Sequence, residues 1–200
     1  MTLNLRHRNK AKEYIPVYFV LLILILLIYH QVHSFDFLSA WDDQWFVTNE
    51  YTEGGLQFDN IYLIFTEFYR GQYAPLNQLY YTLLYSLFGY HTGYFHIASM
   101  VLHLLNAILA YHLVRMICKR SLPNKMNQVT GILTACLFAI LPINVEPVAW
   151  VSSSKVLIYA LFYFISLLFY LKYIESKRAR YYYVVILTYI FSFFGKEQAC

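Results

Sequence analysis

The chain has 200 residues, 60% hydrophobic and 20% aromatic, with only 13% charged and a formal net charge of +4. Soluble domains carry about 25% charged residues, so the composition excludes an ordinary soluble domain and predicts an all-α integral membrane protein. Twelve of the 15 Lys and Arg residues fall in three short clusters beside apolar runs, which argues for topology determinants and against nucleic-acid binding. Cys118, Cys136 and Cys200 share no C-x-x-C spacing, so neither a zinc site nor a disulfide framework is expected.

In chain order, residues 1–13 form a basic stretch, "RHRNKAK" at its centre, expected on the cytoplasmic side. Residues 14–33 read as the first span, uncleaved, with Pro16 tolerated in its first turn. A loop follows over residues 34–94. Near its start stands "SAWDDQWF", in which Asp42 and Asp43 lie between Trp41 and Trp45. The pair reads as a helix N-cap, a solvated turn or working groups. Neighbouring side chains point apart on a helix or a strand, so at most one of the two faces a ligand.

Two amphipathic helices are predicted in this loop. "NIYLIFTEFY" carries a stripe at Ile61, Ile64, Phe65 and Phe68. "PLNQLYYTLLYSLFG" places Leu76, Leu79, Tyr80, Leu83, Leu84, Leu87 and Phe88 on one face, with Asn77, Gln78, Thr82 and Ser86 opposite. Starting at Pro75, it is about 20 Å long against a bilayer core of about 30 Å, so it is expected to lie along the interface.

Residues 95–200 hold further runs at about 95–117, 128–148, 154–174 and 181–195, making five spans in all. With this count, 12 of the 15 basic residues face one side and nine of the 11 acids the other. The positive-inside rule then puts the N-terminus in the cytoplasm and the 34–94 loop outside it. "FGKEQAC" follows a short fifth run, and the expectation is an incomplete membrane domain, the amino-terminal portion of a larger protein. The membrane is a bacterial inner membrane or an endoplasmic reticulum, and the Ile, Tyr and Phe content tilts the reading to a bacterium.

Several residues stand out within these runs. Glu146 sits in "LPINVEPVAW", where Pro142 and Pro147 break the end of a span and free it to line a cavity. His96 and His103 are seven apart on one helical face, with Asn106 a turn beyond. They read either as functional groups or as neutral side chains bonded to neighbouring helices. Such spacing, roughly 10 Å, is poor for a zinc pair.

The ordered series "AWDDQWFVTNE", "YAPLNQLYYTLLYSLFGYHTGYFHIASMVLHLLNAILAYHL", "FAILPINVEPVAWVSSSKVLIYALF" and "GKE" resembles the GT-C class of polytopic glycosyltransferases. It is most similar to the tetratricopeptide-bearing transmembrane O-mannosyltransferases and their bacterial relatives. The chain departs from that pattern at Ala74, Leu141 and Val156, where those proteins often carry an arginine, a histidine and an acid. The resemblance implies a polyprenyl- or dolichyl-phosphate sugar donor and inverting transfer of a mannose-like hexose to a hydroxyl on a protein or glycan.

It further implies Asp42 as the base, with Asp43 orienting it. The developing charge on a lipid phosphate calls for cations, and the far side offers Arg70, Lys155 and Lys196. Their alternative role is snorkelling to lipid headgroups. Glu146 and Glu197 join His103 and Asn106 as acceptor-binding or structural residues, and Lys196 and Glu197 could instead pair with each other. The resemblance fixes no cofactor, and Asp43 and Glu146 leave room for a divalent metal. The competing expectation is a membrane scaffold or binding component without catalysis. A transporter is disfavoured, because matching halves with broken, charged helices are missing.

Overall fold

The computed structural model describes residues 2–196, with side chains from Tyr14 onward. Among the described residues the chain is helical and has no strand longer than a single bridge. The first helix, α1, runs from Thr2 to Tyr29 and continues as a 3-10 turn over His30–Ser34. Pro16 therefore lies inside α1, not in its first turn as expected. Residues before it, Ala, Lys, Arg and Glu among them, are good helix formers and extend the helix backward.

Along α1 the side chains of Val17, Leu21, Ile25 and Tyr29 are buried at steps of four, while Phe19 and Leu27 on the other face are exposed. This stripe packs on α6, Thr92–Cys118, and α7, Asn124–Ile140. Small residues let those helices close up: Ala107, Ala135 and Ala139 are fully buried. A Cβ on Gly131 would meet Arg115 Cγ at 2.7 Å and the Tyr111 ring at 3.1 Å. Helices α9, Lys155–Ser176, and α10, Ala179–Gly195, complete the bundle, with α9 against α6 and α10 against α9.

Three helical stretches are long and apolar enough to cross a membrane: Tyr14–Ser34, Thr92–Cys118 and Val151–Ser176. A fourth arises if Asn124–Ile140 and Pro142–Ala149, bent by 53°, count as one broken span. The sequence count of five included the last run. With 17 residues, α10 reaches only about 26 Å.

The break after α7 has a local cause. Pro142 has no N–H to donate to Phe138 O, which takes Asn144 Nδ2 at 2.6 Å instead. The next carbonyl, Ala139 O, lies 3.1 Å from His103 Nε2 of α6. Two carbonyls freed by one proline thus find side-chain donors, as an apolar surrounding requires. Pro147 sits in the first turn of the short α8, Val145–Ala149, where a missing N–H costs nothing.

Residues 35–91 fold beside one end of the bundle. They hold α2, Asp43–Phe46, α3, Glu50–Glu53, α4, Phe58–Thr66, and α5, Pro75–Phe88. Asn49 caps α3 by accepting from Thr52 N at 3.0 Å, and its amide donates to Trp45 O and Phe46 O. The α5 boundaries match the sequence reading, yet its orientation is the reverse of a water-soluble helix. Asn77, Tyr81 and Thr82 are buried inward, whereas Leu83, Leu87 and Phe88 face outward, Leu87 at 63% exposure. Phe58 and Phe68 flank the same region at 80% and 72%. Inside, Gln78 and Asn49 exchange amide hydrogen bonds, Gln78 Nε2 donates to Thr52 Oγ1, and Thr82 Oγ1 donates to Tyr51 O.

Candidate functional site

The two aspartates divide as adjacent residues must. Asp43, the first residue of α2, is 1% exposed, and Asp42 before it is half-buried. Asp42 occupies the N-cap position without capping, because its backbone is already helical and its side chain bonds to no N–H. Asp43 is fully engaged. Its Oδ2 accepts from Leu38 N at 2.8 Å, and its Oδ1 accepts from Ser152 N at 2.8 Å and from Ser152 Oγ. One carboxylate thus ties the loop after α1 to the 3-10 turn Val151–Ser154 that precedes α9.

The next serine repeats the pattern: Ser153 Oγ donates to Glu146 Oε1 at 3.2 Å. Asp43 and exposed Glu146 line one cavity with Asp36, Phe35, Phe37 and Trp150. Its aromatic wall is held edge-on, with Trp41 to Trp150 at 6.5 Å and Phe37 to Phe95 at 5.3 Å. Trp150 Nε1 is buried without a hydrogen-bond partner.

Lys155 follows three residues after Ser152 and faces a different space. Its ammonium donates to Gln72 Oε1 at 3.0 Å and stands 5.2 Å from the Phe46 ring. This second cavity is lined by Phe46, Tyr51, Glu67, Tyr69, Gln78 and Lys155, among others. Tyr51 and Tyr69 meet edge-to-face at 5.4 Å, as do Phe46 and Tyr69 at 6.1 Å. The short α2 and the Val151–Ser154 turn therefore form a partition. Carboxylates line one side, and on the other a lysine stands with rings, carboxamides and the single carboxylate of Glu67.

Arg70 is exposed at the tip of a two-residue turn closed by Tyr69 and Gln72. Arg70 and Gly71 have φ of 49° and 75°, the left-handed pair of a type I′ hairpin turn. The Arg70 guanidinium lies 5.2 Å from the Trp45 ring, and Tyr69 and Gln72 of its turn line the second cavity while Arg70 itself does not. Lys196 follows α10, whose Phe194 packs edge-on against Tyr73 at 6.1 Å. Glu197 lies outside the described residues.

His103 and Asn106 stay within the bundle: His103 holds Ala139 O, and Asn106 Nδ2 donates to Leu157 O at 3.0 Å. His96, fully buried, meets Phe35 edge-on at 6.3 Å. Among the described residues no group of three His, Cys, Asp or Glu could hold a metal. Asp43 has both oxygens committed to N–H and O–H donors, so this donor set does not fit a divalent ion.

Sequence reasoning missed Ser152, Ser153 and Asp36. The serine run just before an apolar stretch was the available signal, since buried hydroxyls there need partners.

Tyr51 OH donates to Glu67 Oε2 at 2.5 Å. That bond, with burial adding to it, raises the phenol from its ordinary 10 to about 12. The folded state therefore holds the Tyr51 proton more tightly than the unfolded chain does. Its stabilisation is complete below pH 10 and is lost as pH rises through about 12. Tyr51→Phe is expected to melt earlier than wild type at pH 8, and the gap in Tm is expected to shrink across pH 10 to 12. Melting curves of both proteins in detergent over that range check it.

No family model, curated protein or solved structure matches the chain.

Proposed function

We propose that the chain is the membrane domain of a GT-C-like glycosyltransferase, a multi-pass protein with five spans and a cytoplasmic N-terminus. The observation that carries the reading is the partition, with the carboxylates of Asp43 and Glu146 held by Ser152 and Ser153 on one side and Lys155, which follows the same turn, on the other. A lipid-phosphate sugar donor needs a cation at its leaving oxygen, and Lys155 with Arg70 and Lys196 supplies positive charge in that region. The acceptor hydroxyl needs a carboxylate to take its proton as the anomeric bond opens. Asp42 suits that step because its side chain makes no cap bond, while Asp43 anchors the backbone beneath it. The outward apolar faces of α4 and α5 support an interfacial loop that meets a donor arriving from the bilayer.

Asp42→Asn is expected to lower transfer by about 10²- to 10⁴-fold, the usual worth of a general base, while melting as wild type does. Reconstituted chain with polyprenyl-phosphate hexose and hydroxyl acceptors is the assay. Unchanged turnover would remove Asp42 from the mechanism. A strain lacking the gene, examined by mass spectrometry of its glycans, tests the activity itself, and an unaltered glycome would count against it.

A binding component without catalysis is the second reading. It is favoured by the complete engagement of Asp43, whose bonds to Leu38 and Ser152 serve architecture. Under that reading Asp42→Asn leaves the glycome unchanged, while Asp43→Ala disrupts the loop and partner capture together.

A further inference from the structure

The cavity around Lys155 is narrow. Its free space is about 40 Å³, room for about three waters, and a phosphate that carries a sugar is several times larger. We propose that the Tyr69–Gln72 hairpin is a lid on this cavity, latched by Gln72 on the Lys155 ammonium until an anionic oxygen takes the place of the carboxamide. The latch stands on the geometry alone. The choice of a polyprenyl phosphate as the source of that oxygen rests on the transferase reading.

Three observations converge. First, the facing walls are fastened. Phe46, Tyr51, Asn77 and Gln78 reach the cavity from α2, α3 and α5. The carboxamide bonds among Asn49, Thr52 and Gln78, with Thr82 on Tyr51 O, tie α3 to α5. The wall that presents Tyr69 and Gln72 belongs to no helix, and its tip residues Arg70 and Gly71 are exposed.

Second, the hairpin is a closed unit between pinned ends. Tyr69 N donates to Gln72 O at 3.0 Å, and Gln72 N donates to Tyr69 O at 2.9 Å. On the entry side Glu67 accepts from Tyr51 OH, and on the exit side Tyr73 OH donates to Phe65 O at 2.8 Å. Such a turn swings as a body on its two pins, and none of its own backbone bonds has to break.

Third, its hold on the cavity runs through side chains that a ligand can replace. Lys155 Nζ donates to Gln72 Oε1 at 3.0 Å, and the Arg70 guanidinium rests 5.2 Å from the Trp45 ring. The carboxamide oxygen carries a partial charge, so a phosphate oxygen with a full one competes for the same ammonium. Its arrival frees Gln72, and the hairpin opens as the ligand enters.

Trypsin reads the lid, because it cuts after Arg70 once the tight turn comes loose. The purified full chain in neutral detergent is digested, and the cut between Arg70 and Gly71 is followed by mass spectrometry. Each rate is divided by that of a free peptide spanning residues 66–75 with the same substitution. Gln72→Ala is expected to speed the cut about tenfold, the loss of one hydrogen bond to a charged group. Lys155→Met is expected to do the same, and the double variant to be no faster than either, since both remove one contact. Gln72→Glu sets a full charge against Lys155 and is expected to slow the cut, a direction that misfolding cannot mimic. Geranylgeranyl phosphate is expected to speed the cut in wild type, and geranylgeraniol to leave it unchanged.

Gln72→Ala or Gln72→Glu cut at the wild-type rate, or additive effects in the double variant, would overturn the latch. Geranylgeranyl phosphate without effect on wild type would overturn the anion as its key. Inorganic phosphate that matches it at equal concentration would overturn the lipid as the source of that anion. No turnover is read, so an unaltered glycome would remove the transferase reading and leave the latch result standing.

Discussion

Asp43→Ala is expected to destabilise the protein by about 3 to 5 kcal/mol, the summed loss of charge-assisted hydrogen bonds and the exposure of unmet donors. Leu38 N, Ser152 N and Ser152 Oγ would all lose their acceptor at a site that is 1% exposed. Asp43→Asn keeps the shape but turns an NH2 toward a donor, and about 2 kcal/mol of loss is expected. Asp42→Asn, one residue away, is expected to fall within about 0.5 kcal/mol of wild type. Melting curves in detergent measure the difference, and limited proteolysis of residues 35–91 reports whether the loop has come loose. If the two aspartates give equal effects, the staple between Asp43 and Ser152 does not hold the loop.

His103→Leu is the second large effect. The imidazole is fully buried, donates to Ala139 O at 3.1 Å, and packs against Tyr29 and Phe138 at 5.5 Å each. Because the partner is a carbonyl, Nε2 carries the proton. Leucine would fill much of the volume yet leave the carbonyl of the broken helix without a donor, and about 2 to 3 kcal/mol is expected to be lost. His103→Gln places an amide N–H at similar reach and is expected to recover part of it. Equal Tm values for the Leu and Gln variants would show that packing, not the hydrogen bond, is what matters at this position.

The sequence reading succeeded where local rules suffice. Helix α5 begins at Pro75 and ends before Gly89, because proline suits the first turn and Gly89 adopts φ of 60°. The interruption near Pro142 followed from its missing N–H. Only three to four of the five expected spans meet length and composition together, because periodicity cannot say how far a helix such as α10 continues.

The site itself was less legible. That one aspartate turns in and the other out followed from geometry, but which one did not. The answer depends on Ser152, a residue 109 positions away. The type I′ turn at Arg70 was equally hidden, since a non-glycine residue occupies its first left-handed position. His103 was weighed between catalysis and packing, and only the position of Ala139 in space reveals its bond.

The staple between Asp43 and Ser152 also has a temporal side. Its partners are separated by 109 residues, so at about 5 to 20 residues per second a ribosome takes roughly 5 to 20 s to deliver the second after the first. During that interval the loop has its aspartate but not its anchor. Its inward carboxamides can bond among themselves, while its route back to the bundle stays open. Translation past Ser152 is then the event that closes this half of the protein, and nascent chains stalled before and after that residue should differ sharply in protease resistance of the loop.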